Sequence, residues 1–266
     1  MNKNKAIGIF DSGIGGLTVA HEIAKKMPNE DLIYFGDTKH LPYGDKSEDA
    51  IVRFSKNITR FLIQHNCKMV VIACNTASAL AYDIVCKECK NIAIPVNVID
   101  PVVDFTCKTN AYKIGIIGTK NTICSNVYAR KIKALNPKLK TNSLATPLLV
   151  PMIEEGFHQN KISKTILSNY LQNSEFRNID HLILGCTHYP LIEEEIKQFY
   201  EHNIEIINSA KIVSKHVKET LDKMNLSCVK GSKAKHKFYV SDYNRSFEQS
   251  TQYFFGQRIS LKQENI

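Results

Sequence analysis

The sequence predicts an α/β protein with mainly parallel sheets, and three observations support this fold class. Short apolar segments typical of buried strands alternate with longer segments of helical periodicity. The 266 residues are 43% hydrophobic, which is enough for the core of one large domain or two ordinary ones. Two strand-like segments, 70–73 and 182–185, each lead directly into a cysteine followed by small polar residues. We therefore expect one structural plan to occur twice.

The first part of the chain alternates strands and helices without interruption. The predicted elements are a strand at 6–10, a helix at 17–27 ended by Pro28, a strand at 31–35, a helix at 47–64, a strand at 69–73, a helix at 79–89 and a strand at 95–99. The long helix at 47–64 has apolar residues at helical spacing, among them Ile51, Phe54 and Ile58. This alternation is typical of a parallel sheet.

The pattern starts again after Asp100-Pro101. It gives a strand at 113–117, a loop at 118–122, a helix at 125–135 and further elements ending in a strand at 182–184. A last strand-helix-strand unit, from Ile204 to Val240, is expected to complete the first sheet. We therefore predict a first domain of residues 1–98 plus 208–266 and a second domain of residues 99–207.

An internal duplication explains the two similar halves. Gly8–Ser12 corresponds to Gly115–Thr119 and Cys74 to Cys186, at nearly equal offsets of 107 and 112 residues.

Composition and cysteine usage indicate the compartment. No apolar segment approaches the roughly 20 residues needed to cross a bilayer, and the amino terminus lacks a signal-type apolar block. We therefore expect a cytoplasmic protein whose eight cysteines are thiols. Cys86 and Cys89 have CxxC spacing, but without a second such pair or a nearby His we predict no metal site.

The net charge of +9 permits either nucleic acid or a small acidic substrate as a partner. The lysines are dispersed, and the densest basic stretch, 230–237, resembles an exposed loop before a strand. Aromatic residues do not interleave with basic ones as they do in single-strand nucleic-acid platforms. The charge therefore favours a lysine-rich surface and an acidic small molecule.

Two polar turns follow predicted strands in the first half. The turn 11–16 is glycine-rich and opens a helix, so its free N–H groups suit a carboxylate. Its spacing is not the dinucleotide fingerprint, and Asp11 with Ser12 is alternatively a turn and cap pair. The loop 38–44 brings Tyr43 and Gly44 to the same sheet edge, unless it is an ordinary surface turn.

The two cysteines at strand ends are the main candidates for chemistry. A thiol needs its pKa lowered from about 8.5 to act as a base, and helix N-termini or nearby cations do this. His188 is a candidate proton partner for Cys186. The polar followers that can bind carboxylates are Asn75, Thr76 and Thr187. The alternative is a pair of buried apolar cysteines, but their matched settings favour chemistry.

A third candidate group follows the apolar segment 147–153. Glu154 and Glu155 lie next to this segment, where a carboxyl can have a tuned pKa. The alternative is a solvated glutamate at a helix start.

Taken together, six sequence blocks resemble glutamate racemase. They are GIFDSGIGGLTV at 8–19, YFGDT at 34–38, LPYG at 41–44, ACNTAS at 73–78, VPMIEEG at 150–156 and LGCTHYPL at 184–191. The resemblance implies two pseudo-symmetric α/β domains with the active site in the cleft between them. It also implies a homodimer that interconverts L- and D-glutamate without cofactor or metal and supplies D-glutamate for peptidoglycan.

The resemblance also implies roles for individual residues. Cys74 and Cys186 would be two bases on opposite faces of the α-carbon, the first acting on D-glutamate and the second on L-glutamate. Auxiliary acid–base roles are implied for Asp11, Glu154 and His188. The implied substrate-binding residues are Asp11, Ser12, Tyr43, Gly44, Asn75, Thr76, Thr119, Thr122, Thr187 and His188.

Two other functions stay open at this point. An aspartate racemase of the same superfamily shares both thiols and differs in its carboxylate pocket. A DNA-binding or gyrase-binding regulatory protein is permitted by the net charge and requires a steep salt dependence of DNA affinity.

Overall fold

The structure is a computed structural model that describes residues 2–229 and 234–266. Residues 230–233 of the basic stretch lie outside the described residues. The strands are β1 (Ile7–Asp11), β2 (Leu32–Gly36), β3 (Met69–Ile72), β4 (Ile94–Asn97), β5 (Lys113–Gly118), β6 (Lys140–Ala145), β7 (His181–Gly185), β8 (Glu205–Ile207), β9 (His236–Val240) and β10 (Lys262–Gln263).

Helices connect the strands. They are α1 (Leu17–Lys26), α2 (Glu48–Gln64), α3 (Asn75–Leu80), α4 (Tyr82–Cys89), α5 (Ile99–Thr106), α6 (Lys120–Cys124), α7 (Val127–Leu135), α8 (Leu149–Glu154), α9 (Lys161–Leu171), α10 (Glu193–Phe199), α11 (Ser209–Lys223) and α12 (Arg245–Phe255). Short 3-10 turns occur at Thr38–His40, Tyr43–Asp45, Ser174–Phe176 and Tyr189–Ile192. Within the described ranges, no helix is both long and apolar enough to cross a membrane.

The strands form two parallel sheets, as the sequence predicts. The first has the order β10-β9-β2-β1-β3-β4 and the second the order β6-β5-β7-β8. Every strand pair is parallel. The order β2-β1-β3-β4 is repeated as β6-β5-β7-β8, so the two halves have the same topology and the α/β fold class is confirmed. β3 and β7, which precede the two cysteines, therefore have equivalent positions.

An apolar core extends across both sheets. It includes Ile9 and Val71 of the first sheet together with Ile116 and Ile183 of the second. A second cluster covers the opposite face of the first sheet, where Phe10 and Val70 pack. Burial on both faces explains the nearly continuous apolar sequence of the central strands.

The predicted start of the helix at 79–89 is wrong. Two helices occupy this region: α3 begins at Asn75, directly after Cys74, and α4 follows a break at Ala81. The Cys74 sulfur accepts a hydrogen bond from the Ala77 N–H and so caps α3. The first cysteine therefore lies at a helix N-terminus.

The end of β4 also differs from the prediction. The strand stops at Asn97, whose side-chain oxygen accepts hydrogen bonds from Ile99 N (2.9 Å) and Asp100 N (2.8 Å). The chain consequently turns into α5, which sequence periodicity missed. Pro101 lies in the first turn of this helix, where proline is tolerated because its N–H is not needed.

Two further expectations are wrong. The loop predicted at 118–122 contains the start of α6, which is capped by the Thr119 hydroxyl. β8, the first strand of the last predicted unit, pairs with β7 in the second sheet, whereas β9, the last strand of that unit, joins the first sheet.

Candidate active site

The carboxyl ends of the central strands of both sheets border one pocket of about 300 Å³. Open parallel sheets bind ligands at this edge. Most of the sequence-predicted site residues line the pocket: Ser12, Tyr43, Gly44, Cys74, Asn75, Thr76, Thr119, Glu154, Cys186, Thr187 and His188. Asp11 and Thr122 lie behind this lining, and Glu155 is exposed outside it.

The surroundings of the Cys74 thiol favour its protonated form. The residue is 5% exposed, and its sulfur lies 3.6 Å from Ser12 Oγ and 3.4 Å from the donating Ala77 N. Burial raises the pKa of the Cys74 thiol to about 12, with the nearby Asp11 carboxyl adding to the shift. The hydrogen bonds that the sulfur forms with Ala77 N and Ser12 Oγ oppose this shift only in part. The pKa lowering that the helix start suggested is therefore not found, and Cys74 is a thiol at neutral pH.

Cys186 has a different neighbour, the imidazole of His188. The Cys186 sulfur lies 3.7 Å from His188 Nδ1, and His188 Nε2 lies 2.9 Å from Glu154 Oε1. Burial lowers the pKa of His188, but hydrogen bonds and charge interactions with Cys186 and Glu154 outweigh it and raise the pKa to about 10. At neutral pH the ring is therefore a cation that can donate towards both partners.

A glycine and an aromatic ring hold His188 in this position. Phe254 of α12 meets the imidazole edge to face, with ring centroids 5.2 Å apart. A Cβ at Gly15 would lie only 2.3 Å from His188 Cε1. The glycine-rich turn therefore leaves space for the His188 imidazole, which belongs to the other half of the protein.

The Asp11 carboxyl binds the backbone of the glycine-rich turn. Asp11 Oδ2 accepts hydrogen bonds from Gly13 N (3.1 Å) and Gly16 N (3.0 Å). These N–H groups are thus taken by the protein's own carboxyl, and the carboxylate ligand expected at the turn cannot use them. Burial raises the pKa of Asp11, while the charge of His188 and the backbone hydrogen bonds oppose the shift.

Hydroxyl and amide groups line the pocket between the two thiols. The Thr76 hydroxyl lies 2.8 Å from that of Thr119 and 3.2 Å from that of Thr122, so these residues form a cluster across the two halves. Asn75 Oδ1 accepts a 2.6 Å hydrogen bond from Tyr128, and its buried Nδ2 has no partner among the described residues. That amide is therefore free to donate into the pocket.

The Tyr43 hydroxyl is already occupied. It donates to Asp37 Oδ2 at 2.6 Å, and Asp37 Oδ1 also accepts from Ser241 at 2.8 Å. Burial raises the pKa of Tyr43, and the Asp37 charge and hydrogen bond raise it further. Tyr43 therefore lines the pocket while its hydroxyl is bound to Asp37.

Sequence reasoning missed part of the lining. The additional residues are Leu41, Pro42, Asp45, Lys120, Thr146, Pro147, Val150, Pro151 and Gly185. Thr146 and Pro147 directly follow β6, so the strand-end rule that located Cys186 would have found them as well. Within residues 2–229 and 234–266, no group of three or more His, Cys, Asp or Glu side chains is arranged to hold a metal ion.

The raised pKa of His188 predicts how the free energy of unfolding depends on pH. A pKa that rises on folding from 6.5 to about 10 gives stability that is fully present below pH 6.5 and lost as the pH rises through 10. The free energy of unfolding of the wild type should therefore exceed that of His188→Asn at low pH, and this difference should shrink as the pH rises across this range. Urea unfolding of both proteins between pH 6 and pH 10 measures the difference, and a difference that does not change with pH contradicts the assignment.

Comparisons with known proteins agree with this geometry. The sequence profile of the Asp/Glu/Hydantoin racemase family matches residues 17–217. A glutamate racemase of Geobacter metallireducens is 39% identical over 96% of this chain and 94% of the relative.

Solved structures are similar over their whole length. The glutamate racemase of Francisella tularensis, determined in complex with D-glutamate, has a TM-score of 0.92 at 38% identity and covers 99% of this chain and 98% of its own. A glutamate racemase isoform of Bacillus anthracis has a TM-score of 0.93 at 33% identity, with 100% and 99% covered. From its sequence and its fold alike, the chain belongs to the glutamate racemases of the Asp/Glu/Hydantoin racemase family.

Proposed function

We propose that this chain interconverts L- and D-glutamate and that Cys74 and Cys186 transfer the proton. The observation that carries the proposal is that equivalent strands of two duplicated sheets deliver one thiol each to the same pocket. A racemase must remove a proton from one face of a carbon and return one to the other. Two sulfurs from different sheets suit this task better than a single base.

The surroundings of the thiols suggest a resting state suited to L-glutamate. Cys186 faces a cationic His188, a neighbour that stabilises negative charge on sulfur. Cys186 then removes the α-proton, and Cys74, whose raised pKa retains its proton, donates to the opposite face. In the direction from D-glutamate the two thiols exchange roles, and the His188 imidazolium holds a proton near Cys186.

Removal of the α-proton leaves carbanion-like charge on the substrate. Fixed hydrogen-bond donors must stabilise this charge, because no cofactor that could accept the electrons is proposed. Buried hydrogen-bond donors that are already oriented stabilise developing charge without reorganisation. The Asn75 Nδ2 group, which has no partner among the described residues, and the hydroxyls of Thr76, Thr119 and Thr187 are suitable donors for the substrate carboxylates. A cavity of about 300 Å³ is at the small end of ligand pockets and fits a small amino acid.

We further propose the domain division 1–98 plus 208–266 and 99–207. Strands β1–β4, β9 and β10 form one sheet, and β5–β8 form the other. α11 packs against α1 and α5, so this helix supports the junction between the two proposed domains.

We also propose where the protein acts and in what form. The eight cysteines are all free thiols, which supports a reducing compartment, and we propose the cytoplasm. There the chain would act as a homodimer that supplies D-glutamate for peptidoglycan.

The activity is tested by solvent deuterium incorporation at Cα of L- and D-glutamate together with circular dichroism, without added cofactor. We expect each glutamate enantiomer to exchange its α-proton and to lose optical activity. Aspartate is the control and should do neither. Racemisation of aspartate instead would assign the chain to the related activity, and exchange with neither amino acid would refute the proposal.

A further inference from the structure

Asn121 of α6 connects the two halves of the protein at the pocket. Its Nδ2 group donates to two backbone carbonyls of the other half, Tyr43 O at 2.9 Å and Lys46 O at 2.7 Å. A primary amide carries two N–H donors, so both are used here. Asn121 thus spans the turn Tyr43–Asp45 with a single side chain.

This turn forms one wall of the pocket. Tyr43, Gly44 and Asp45 all line it, whereas Asn121 itself does not. The turn also approaches α6 closely, since a Cβ at Gly44 would lie 3.1 Å from Thr119 Cβ. Any loosening of the turn therefore changes the wall that a bound substrate would meet.

A second contact between the turn and α6 is exposed. Lys120 Nζ lies 2.9 Å from Asp45 Oδ1, but both side chains are more than half exposed. Ion pairs in such positions contribute little because water screens them and both side chains lose entropy. The two hydrogen bonds of Asn121, which are partly buried, are the stronger link between the turn and α6.

We propose that Asn121 is a positioning residue that fixes the turn Tyr43–Asp45 against α6 and thereby sets the affinity for substrate. This inference rests on the proposed function. Asn121 does not line the pocket beside the thiols, so its effect should be the same in the ground state and in the transition state. Loss of such uniform binding raises KM and leaves kcat unchanged.

The test compares Asn121→Leu with the wild type, because leucine has a similar size and no donor. Because both hydrogen bonds to the turn are lost, KM for both enantiomers should rise roughly 10- to 30-fold. The kinetic isotope effect of Cα-deuterated glutamate on kcat should not change. Asn121→Gln, which keeps the donors, should recover part of the affinity and provides a second, conservative variant if the leucine protein fails to fold.

A matched control variant is available in the chain. Asn136 Nδ2 also donates to a backbone carbonyl, Cys107 O at 3.4 Å, but lies outside the pocket lining. Asn136→Leu should therefore leave KM unchanged.

The outcomes separate this inference from the proposed function. An inactive wild type would overturn the proposed function. An active wild type whose Asn121→Leu variant keeps the same KM would overturn the positioning role alone. A fall in kcat with a changed isotope effect would also overturn it, because Asn121 would then act on proton transfer.

Discussion

Replacing either active-site thiol with a hydroxyl is expected to abolish racemisation of glutamate for practical purposes. General acid–base groups typically contribute roughly 10²- to 10⁴-fold to a rate, and a serine hydroxyl is a far weaker base than a thiolate. Cys74→Ser and Cys186→Ser should each lose at least this factor in kcat, because inversion needs both a base and an acid. Circular dichroism of L- and D-glutamate solutions measures the loss.

Deuterium exchange distinguishes the two variants. Cys74→Ser keeps Cys186 and its cationic neighbour His188, so any residual exchange should occur with L-glutamate. Cys186→Ser should show residual exchange with D-glutamate instead. Cys107→Ser is the matched control, since this partly buried cysteine lies outside the pocket lining, and its activity should not change. Full racemase activity in either pocket variant would refute the two-thiol mechanism.

The second large effect concerns stability and involves a buried ion pair far from the thiols. Lys68 Nζ lies 2.6 Å from Glu30 Oε2 and also donates to the carbonyls of Lys3 and Leu226. The Lys68 side chain is 0% exposed and that of Glu30 is 3% exposed. Lys68→Met leaves the Glu30 charge buried without its partner, which typically costs 3–5 kcal/mol, so we expect a loss of about that size in the free energy of unfolding.

Urea unfolding measures this loss, and two variants provide controls. Lys56 pairs with Glu88 at 3.9 Å while 38% exposed, so Lys56→Met should cost less than about 1 kcal/mol. The double variant Lys68→Met/Glu30→Leu should recover only part of the stability. Glu30 Oε1 also accepts from Cys228 N at 2.7 Å, and that partly buried donor would lose its partner. A cost for Lys68→Met no larger than that for Lys56→Met would contradict the assigned role of the pair.

Where sequence reasoning succeeded, local patterns decided the outcome. The alternation of apolar strands with amphipathic helices located most elements, because burial on both faces requires apolar strands. The strand ends at Ala73 and Gly185 located both pocket cysteines, because the carboxyl ends of parallel strands lie at one edge of the sheet. Helix starts were predicted less well, since Cys74, Asn97 and Thr119 form side-chain hydrogen bonds to the backbone that periodicity does not reveal.

The sequence by itself determined the parallel α/β plan, its duplication and the two thiols, because each depends on neighbours along the chain. Only the tertiary structure decided how those thiols differ, since the Asp11 carboxyl near Cys74 and the Glu154 carboxyl that binds His188 beside Cys186 come from distant segments. The same holds for the Tyr43 hydroxyl bound to Asp37 and for the link from Asn121 to the turn. A pKa or a hydrogen bond depends on what lies within a few ångströms, and folding rather than sequence distance determines that.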